Sequence, residues 1–274
     1  MKKINRRSFL AAAGLTAAAL ALTACGGSAS STASSTASSA AVSTSAAAEL
    51  TTVEAGKLTM ATNATFPPYE MTTDSGEIEG IDVDTAKAIA EKLGLELQID
   101  DMDFDAALLS VQQGKADIVM AGVTVTDERK AVMDFSDSYA TGIQSIIVPE
   151  GSDIASPDDL AGKKIGTQRG TTGYIYCSDD FGEDSVVAYD SGLTAVQALN
   201  NGQVDAVVID NAPATEYVAA NPGLKVLDTS YAEEDYAIGL AKGSALEDAI
   251  NAALEELKSD GTLQSIVDKY ITAE

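Results

Sequence analysis

Apolar segments that alternate between strand and helix patterns impose the strongest constraint on the fold of this chain. Strands are expected at 57–62, 95–99 and 117–121, with helices at 82–93 and 105–113 between them. Asp82 is the expected N-cap of the first helix. Strand–helix–strand repeats of this kind predict a mostly parallel sheet with helices on both faces.

The same alternation restarts in the second half of the chain. Strands are expected at 144–148, 164–166, 204–209 and 236–241, and helices at 191–200, 211–220, 246–258 and 262–270. No polar linker separates the halves, so the pattern predicts two adjoining α/β units. Ligands of open α/β sheets bind outside the carboxyl ends of the strands. Those ends fall at 63–69, 122–129 and Asp210, and 170–172 lies at a helix N-terminus, which favours an anion.

The segment 121–129 has the composition of a carboxylate-binding loop. It joins the end of a buried strand to a helical turn and contains small residues, hydroxyl groups and Arg129. Free N–H groups bind anions, and a guanidinium matches a carboxylate with two parallel hydrogen bonds. The same residue types also make an ordinary capped helix with a surface arginine, and the loop alone leaves both interpretations open.

Charge and residue usage exclude several classes of function. Four of the 17 basic residues lie within residues 1–24, and all 42 acidic residues follow them. Such an acidic chain has no basic face for nucleic acid. The sequence contains no histidine, which excludes Ser-His-Asp catalysis and any histidine-bound metal. No cofactor or metal is expected, and Cys177 is expected to be a buried, unreactive thiol.

The N-terminus has the pattern of a bacterial export signal. A basic segment precedes an apolar stretch at 9–24 that is short for a membrane span. The segment 22–25 resembles a bacterial lipobox, which implies that Cys25 is lipidated and anchors the chain to the membrane. A plain secretory signal is the alternative, and 5–10 also resembles a twin-arginine motif. Residues 25–50, rich in Ser, Ala and Thr, are typical of a flexible tether.

Several further motifs follow one another in a fixed order between residues 56 and 272. They are Phe66-Pro67-Pro68-Tyr69-Glu70, Gly80-Ile81-Asp82-Val83-Asp84, 121–129, Asp134-Phe135-Ser136, Gly170-Thr171-Thr172, 205–210 and Asp260-Gly261-Thr262. This set resembles the solute-binding proteins of polar amino acid ABC transporters, such as those for glutamine, histidine and cystine. The resemblance covers nearly all of the chain that follows the tether.

The resemblance implies an α/β, two-lobed, periplasmic-binding-protein-like (type II) clamshell, in which each lobe is a mostly parallel sheet flanked by helices. Lobe one is expected at 56–142 plus 236–274, and lobe two at 143–235. The implied function is capture of an amino acid by lobe closure and its delivery to an ABC permease, which works with a cytoplasmic ATPase. The protein is expected to act as a monomer on the extracytoplasmic side of the membrane.

The resemblance also assigns the groups that hold the ligand backbone. Arg129 is expected to bind the α-carboxylate, with hydroxyl or backbone donors from Thr124 and Thr172. Asp210 is expected to bind the α-ammonium, aided by the carbonyl of Gly122. A zwitterion needs a cation and an anion close together, because burying either charge alone is costly. In isolation, Asp210 would be interpreted as a helix N-cap.

Side-chain specificity is expected to depend on four further residues. Phe66 and Phe104 match positions that sandwich the ligand side chain, although phenylalanine is more often a core residue. Asn63 and Gln168 are neutral amides, which cannot neutralise a buried charge. They favour glutamine, another neutral polar amino acid, or cystine over cationic ligands. Glutamate would require Arg169 to turn inward, and Tyr69 is equally compatible with packing between lobes.

Two other classes of function are compatible with the same fold. An exported dehydratase acting on small carboxylates would need a catalytic acid or base, and Glu70 and Asp105 are the nearest carboxylates in the sequence. Neither lies in a recognisable catalytic motif, so the protein is not expected to be an enzyme. A ligand-sensing receptor domain is the other alternative.

Overall fold

The computed structural model of the protein describes residues 50–271. The predicted export signal at 1–24, the lipidation site Cys25 and residues 25–49 of the predicted tether lie outside the described residues. Within the described part of the chain, no helix is both long enough and apolar enough to cross a membrane.

Strands and helices follow each other in the order that the sequence predicts, with several short strands added. The strands are β1 (Lys57–Thr62), β2 (Thr65–Phe66), β3 (Glu70–Thr72), β4 (Ile78–Glu79), β5 (Glu96–Asp101), β6 (Ile118–Val119), β7 (Met133–Phe135), β8 (Ala140–Pro149), β9 (Ile165–Gln168), β10 (Val186–Tyr189), β11 (Ala206–Asp210), β12 (Leu224–Val226), β13 (Ala232–Tyr236) and β14 (Gly239–Ala241). The α-helices are α1 (Ile81–Leu93), α2 (Phe104–Gln112), α3 (Asp127–Lys130), α4 (Thr172–Phe181), α5 (Gly192–Asn200), α6 (Asn211–Ala220), α7 (Glu247–Ser259) and α8 (Thr262–Tyr270).

The first sheet has the strand order β5-β1-β6-β14-β7. Its parallel part comes from the series β1-α1-β5-α2-β6, because a helical crossover returns each strand in the same direction. β14 reaches this sheet late in the chain and runs antiparallel to both β6 and β7. The carboxyl ends of β1 and β6 therefore lie side by side and present the loops that follow Thr62 and Val119.

The second sheet has the order β10-β9-β11-β8-β12, and β13 pairs with β8. β9 is parallel to β10 and β11, whereas β8 is antiparallel to β11, β12 and β13. The α/β class is confirmed, but both sheets are mixed rather than mostly parallel. β8 and β13 run in opposite directions because the chain enters the second sheet along β8 and leaves it along β13, with Ala140 opposite Tyr236.

The apolar core extends over both sheets. One buried cluster contains Leu58 of β1 and Ile118 of β6 together with Val207 and Ile209 of β11. Helix α7 contributes residues spaced for one helical face, and they are Ile250, Ala253, Leu254 and Leu257. Cys177 is buried as expected, and burial raises the pKa of its thiol to about 12, which keeps it protonated.

The start of α1 differs from the prediction. Gly80, not Asp82, is the N-cap residue, and Asp82 lies within the first turn of the helix. The Asp82 carboxylate is fully buried and accepts hydrogen bonds from the Gly122 N–H at 2.9 Å and the Tyr139 hydroxyl at 2.7 Å. It therefore joins α1 to the loop after β6 instead of capping its own helix.

We predict that Gly80→Ala destabilises the fold by about 2–4 kcal/mol, through backbone strain and a steric clash. Gly80 has a φ of 143°, and a Cβ there would lie 2.1 Å from the Tyr69 carbonyl oxygen. The matched control is Gly76→Ala, where φ is 85° and a Cβ would meet no atom within 4 Å. The control should cost only about 1 kcal/mol, the strain of a left-handed backbone. Urea denaturation of both variants measures the difference, and equal losses would contradict the prediction.

Candidate functional site

A cavity lies where the two sheets meet, and both contribute to its wall. The lining residues are Asn63, Phe66, Glu70, Phe104, Ala121, Gly122, Thr124, Arg129, Gln144, Gln168, Thr171, Thr172, Ile209 and Asp210. The structure thus brings together all nine residues that the sequence proposes as ligand contacts, although their roles stay predictions.

Arg129 is a buried cation at the cavity wall. It lies in α3, whose N-cap Thr126 accepts a hydrogen bond from the Arg129 N–H through its hydroxyl. The guanidinium donates to the carbonyls of Thr124 at 2.8 Å and Gly170 at 3.1 Å and lies 5.4 Å from the centre of the Phe104 ring. Within residues 50–271 it forms no ion pair with a carboxylate. Two of its five N–H groups thus donate to carbonyls, and no described carboxylate lies within ion-pair distance of its charge.

Asp210 is a buried carboxyl group in the same wall. It ends β11 and stands at the N-cap position of α6, yet its side chain makes no capping hydrogen bond. Instead its carboxylate accepts from the Gln144 side-chain amide at 2.6 Å. Burial, together with the nearby charge of Glu234, raises its pKa to about 7, against the lowering effect of the hydrogen bond from Gln144. In the described part of the chain Asp210, like Arg129, has no charged partner within ion-pair distance.

A group of hydrogen-bonded side chains lies between these charges. The hydroxyls of Thr124 and Thr172 are 3.4 Å apart and both donate to Oε2 of Glu234, at 2.9 Å and 3.0 Å. Gln144 donates to the same oxygen at 3.1 Å. Sequence reasoning missed Glu234 and Gln144. Glu234 lies in an acidic run that is typical of a solvent-exposed segment. The signal that could have indicated its burial is the alternation of side chains along a strand, which buries Glu234 and Tyr236 and exposes Glu233.

The opposite end of the cavity carries amides rather than charges. Gln168 donates to the side-chain oxygen of Asn63 at 2.9 Å, and Asn63 donates to the Met102 carbonyl at 2.8 Å. Arg169 turns away from this end, because its side chain is 57% exposed and its guanidinium lies 3.6 Å from Asp190. The amides therefore link the two sheets without adding a charge to the cavity.

Phe66 lines the cavity and leaves no room for a side chain at position 122. Gly122 has a φ of 55°, and a Cβ there would lie 2.8 Å from Cε1 of Phe66. Tyr69 does not line the cavity. It packs on Phe66 and Tyr236, with ring centres 6.0 Å and 5.3 Å apart, which favours its packing role.

Glu70 is a buried acid in the cavity wall. It is fully buried, and neither of its carboxylate oxygens has a hydrogen-bond partner among the described residues. Burial and the nearby charge of Asp82 raise the pKa of Glu70 well above its usual range, and burial raises the pKa of Asp82 to about 6. Both effects on Glu70 favour its neutral form.

Comparison with known proteins gives a consistent result. Residues 58–273 match the family described as bacterial extracellular solute-binding proteins, family 3. A probable histidine-binding protein of Neisseria gonorrhoeae is 34% identical over 280 residues, which cover 99% of this chain and 98% of the relative. The L-cystine-binding protein TcyJ of Escherichia coli (strain K12) is 33% identical over 226 residues, with 81% and 85% covered.

Solved structures agree with these matches. The arginine-, lysine-, histidine-binding protein ArtJ of Geobacillus stearothermophilus has a TM-score of 0.76 and 35% identity, and the match covers 80% of this chain and 96% of that one. An ancestral arginine-binding protein bound to glutamine has a TM-score of 0.75 and 43% identity, with 80% and 99% covered. These similarities confirm the fold class and a binding protein rather than an enzyme.

We predict that Asp210→Asn stabilises the ligand-free protein at pH 8 by about 1–3 kcal/mol, because it removes an unpaired buried charge. The pKa of Asp210 is raised to about 7 from 3.8, so the folded state holds this proton more tightly than the unfolded chain. The stabilisation of the folded state by this proton is present at acidic pH and is lost as pH rises through 7. The advantage of the Asn variant should therefore shrink between pH 8 and pH 5.

Urea denaturation at the two pH values measures this difference. The control is Asp228→Asn, at an exposed position, which should follow the wild type at both. An Asp210→Asn variant that is less stable than the wild type at pH 8 would contradict the account of Asp210.

Proposed function

The chain belongs to the bacterial extracellular solute-binding proteins, family 3, the amino acid-binding proteins of ABC transporters, and we propose that it captures an amino acid with an uncharged polar side chain. Glutamine is favoured; the alternatives are another neutral polar amino acid and cystine, which has no net charge but carries a second ammonium and a second carboxylate. The bound amino acid is delivered to the permease of an importer. We further propose that the protein acts as a monomer, anchored through lipid on Cys25 at the extracytoplasmic face of the membrane.

The observation that carries this proposal is a pair of buried groups of opposite charge, neither of which has an ion-pair partner among the described residues. Arg129 and Asp210 line one cavity, and each lacks an ion pair among residues 50–271. An isolated buried charge is costly, so a ligand that brings both opposite charges relieves both costs at once. The α-carboxylate and α-ammonium of an amino acid are such a pair.

The choice of an uncharged ligand side chain rests on the far end of the cavity. Asn63 and Gln168 supply amide donors and acceptors there, and Arg169 points to solvent. Burial raises the pKa of Glu70, which also lines the cavity, and so favours its neutral form. The two amides offer neither an anion to a guanidinium or ammonium group nor a cation to a carboxylate. The relatives are named for histidine, cystine, arginine and glutamine, so the ligand is inferred from these residues.

The delivery step is proposed as lobe closure about β8 and β13, with lobe one at 56–142 plus 236–274 and lobe two at 143–235. Hydrogen bonds from Arg129 to Gly170 and from Gln168 to Asn63 join the two sheets directly. Such bonds fit a closed form in which water is excluded and charge interactions strengthen. A permease can then distinguish the closed, loaded protein from the open one.

We predict that one or a few neutral polar amino acids raise the melting temperature of the purified protein after unfolding and refolding have removed bound ligand. A ligand that binds only the folded state adds about 2.7 kcal/mol of stability at a hundredfold excess over Kd. The panel contains the twenty L-amino acids and cystine. Arg129→Ala should abolish the shift, whereas the matched control Arg169→Ala, at an exposed arginine, should retain it.

Two results would contradict the proposal. A dominant shift with arginine or lysine would overturn the inference from Asn63 and Gln168. The absence of a shift with every compound would overturn amino acid capture itself.

A further inference from the structure

Glu234 has more hydrogen-bonding contacts at the cavity than its place in a hydrophilic run suggests. It is 6% exposed and does not line the cavity, but its partners Thr124, Thr172 and Gln144 all do. The three donors converge on one oxygen, Oε2, at 2.9, 3.0 and 3.1 Å. Hydrogen bonds to an ionised carboxylate are stronger than those between neutral groups, so this oxygen can fix the orientation of all three donors.

The three donors come from separate parts of the fold. Thr124 belongs to the loop after β6 of the first sheet, Thr172 begins α4, and Gln144 lies on β8. Glu234 itself lies on β13, one of the two strands that connect the sheets, where it stands opposite Gly142. One carboxylate therefore ties the two sides of the cavity together.

We propose that Glu234 is a positioning residue for amino acid binding, which turns the hydroxyl hydrogens of Thr124 and Thr172 away from the ligand and supplies negative charge behind Asp210. This role rests on the proposed function. With their hydrogens engaged, the two hydroxyl oxygens offer only lone pairs to the cavity, so they accept hydrogen bonds from an α-ammonium. Donors for the α-carboxylate then come from Arg129 and from backbone N–H groups.

Two further features support a role beyond packing. The second oxygen of Glu234, Oε1, is buried and accepts no hydrogen bond from any described residue, so the carboxylate keeps unused acceptor capacity. Gln144 donates to both Glu234 and Asp210, at 3.1 Å and 2.6 Å, which places the two acids on one shared amide. Glu234 and Asp210 are therefore linked by hydrogen bonds through Gln144 as well as by the interaction of their charges.

The charge of Glu234 reaches the two groups that bind the ligand backbone. It is the main charged group that offsets the effect of burial on the pKa of Arg129, and it adds to the effect of burial in raising the pKa of Asp210. The other titratable groups that face Asp210 are Tyr236 of β13 and Tyr69, which precedes β3. Removal of the Glu234 charge should therefore lower the pKa of Asp210 towards its ordinary value.

The test measures Kd by calorimetry from pH 5.5 to pH 8 for the wild type and three variants. The probe is L-glutamine or, if another amino acid gives the largest thermal shift in the panel, that amino acid. Glu234→Ala removes the acceptor and the charge, whereas Glu234→Gln keeps an acceptor and removes the charge. The control is Glu233→Gln, which makes the same charge change on the exposed face of the same strand.

We expect Glu234→Ala to weaken binding at pH 8 by about tenfold, since hydrogen bonds to a charged group are lost, and Glu234→Gln to recover part of that loss. The ammonium requires ionised Asp210, so wild-type binding should weaken by up to about tenfold per pH unit below the pKa of that group. In both Glu234 variants, this weakening of binding at acidic pH should begin at a lower pH than in the wild type. Glu233→Gln should match the wild type throughout.

Unchanged Kd values in both Glu234 variants would overturn the proposal. Weaker binding without a change in the pH at which binding declines would also overturn it, because such a result indicates a structural role alone. A wild-type protein that binds no amino acid would instead overturn the proposed function, and the role of Glu234 with it.

Discussion

The site depends on two buried charges of opposite sign, Arg129 and Asp210, that face one cavity without counter-ions from the described residues. A protein that keeps such charges apart accepts a cost in stability, which a ligand of complementary charge can reverse. The raised pKa of Asp210 has the same origin, because burial disfavours its ionised form until a cation arrives. Ligand affinity and fold stability are therefore opposed at this residue.

The fold explains how these charges can be held in place. Arg129 lies in the short helix α3, which a threonine caps, and its guanidinium spans to a carbonyl across the cavity. Asp210 ends β11 in the second sheet, where Gln144 of the neighbouring strand β8 fixes its carboxylate. Each charged group thus belongs to a helix or strand near the carboxyl ends of the strands, where open α/β sheets bind ligands.

Local patterns in the sequence were enough to predict much of this arrangement. The loop at 121–129 and the strand that ends at Asp210 carry their own signals, because residue type and position in an element coincide there. The strand expected at 236–241 is instead divided between β13 and β14, which belong to different sheets. The middle of β13 is acidic, so its burial depends on pairing with β8 rather than on local composition.

The residues that sequence reasoning missed share one property. Glu234, Gln144 and the buried Glu70 acquire their roles from partners distant in the chain, and a single sequence does not reveal such contacts. Asp82 shows the same limitation, because it looks like a helix cap and is in fact a buried acceptor for Gly122 and Tyr139. Contacts within one element were predictable, and contacts between elements required the structure.

A crystal structure of the protein with its preferred amino acid would test the central claim most directly. The account predicts the ligand carboxylate within hydrogen-bonding distance of the Arg129 guanidinium, the ammonium within that distance of Asp210, and an uncharged side chain between Phe66 and Phe104. A ligand bound in the reverse orientation, or outside this cavity, would contradict it.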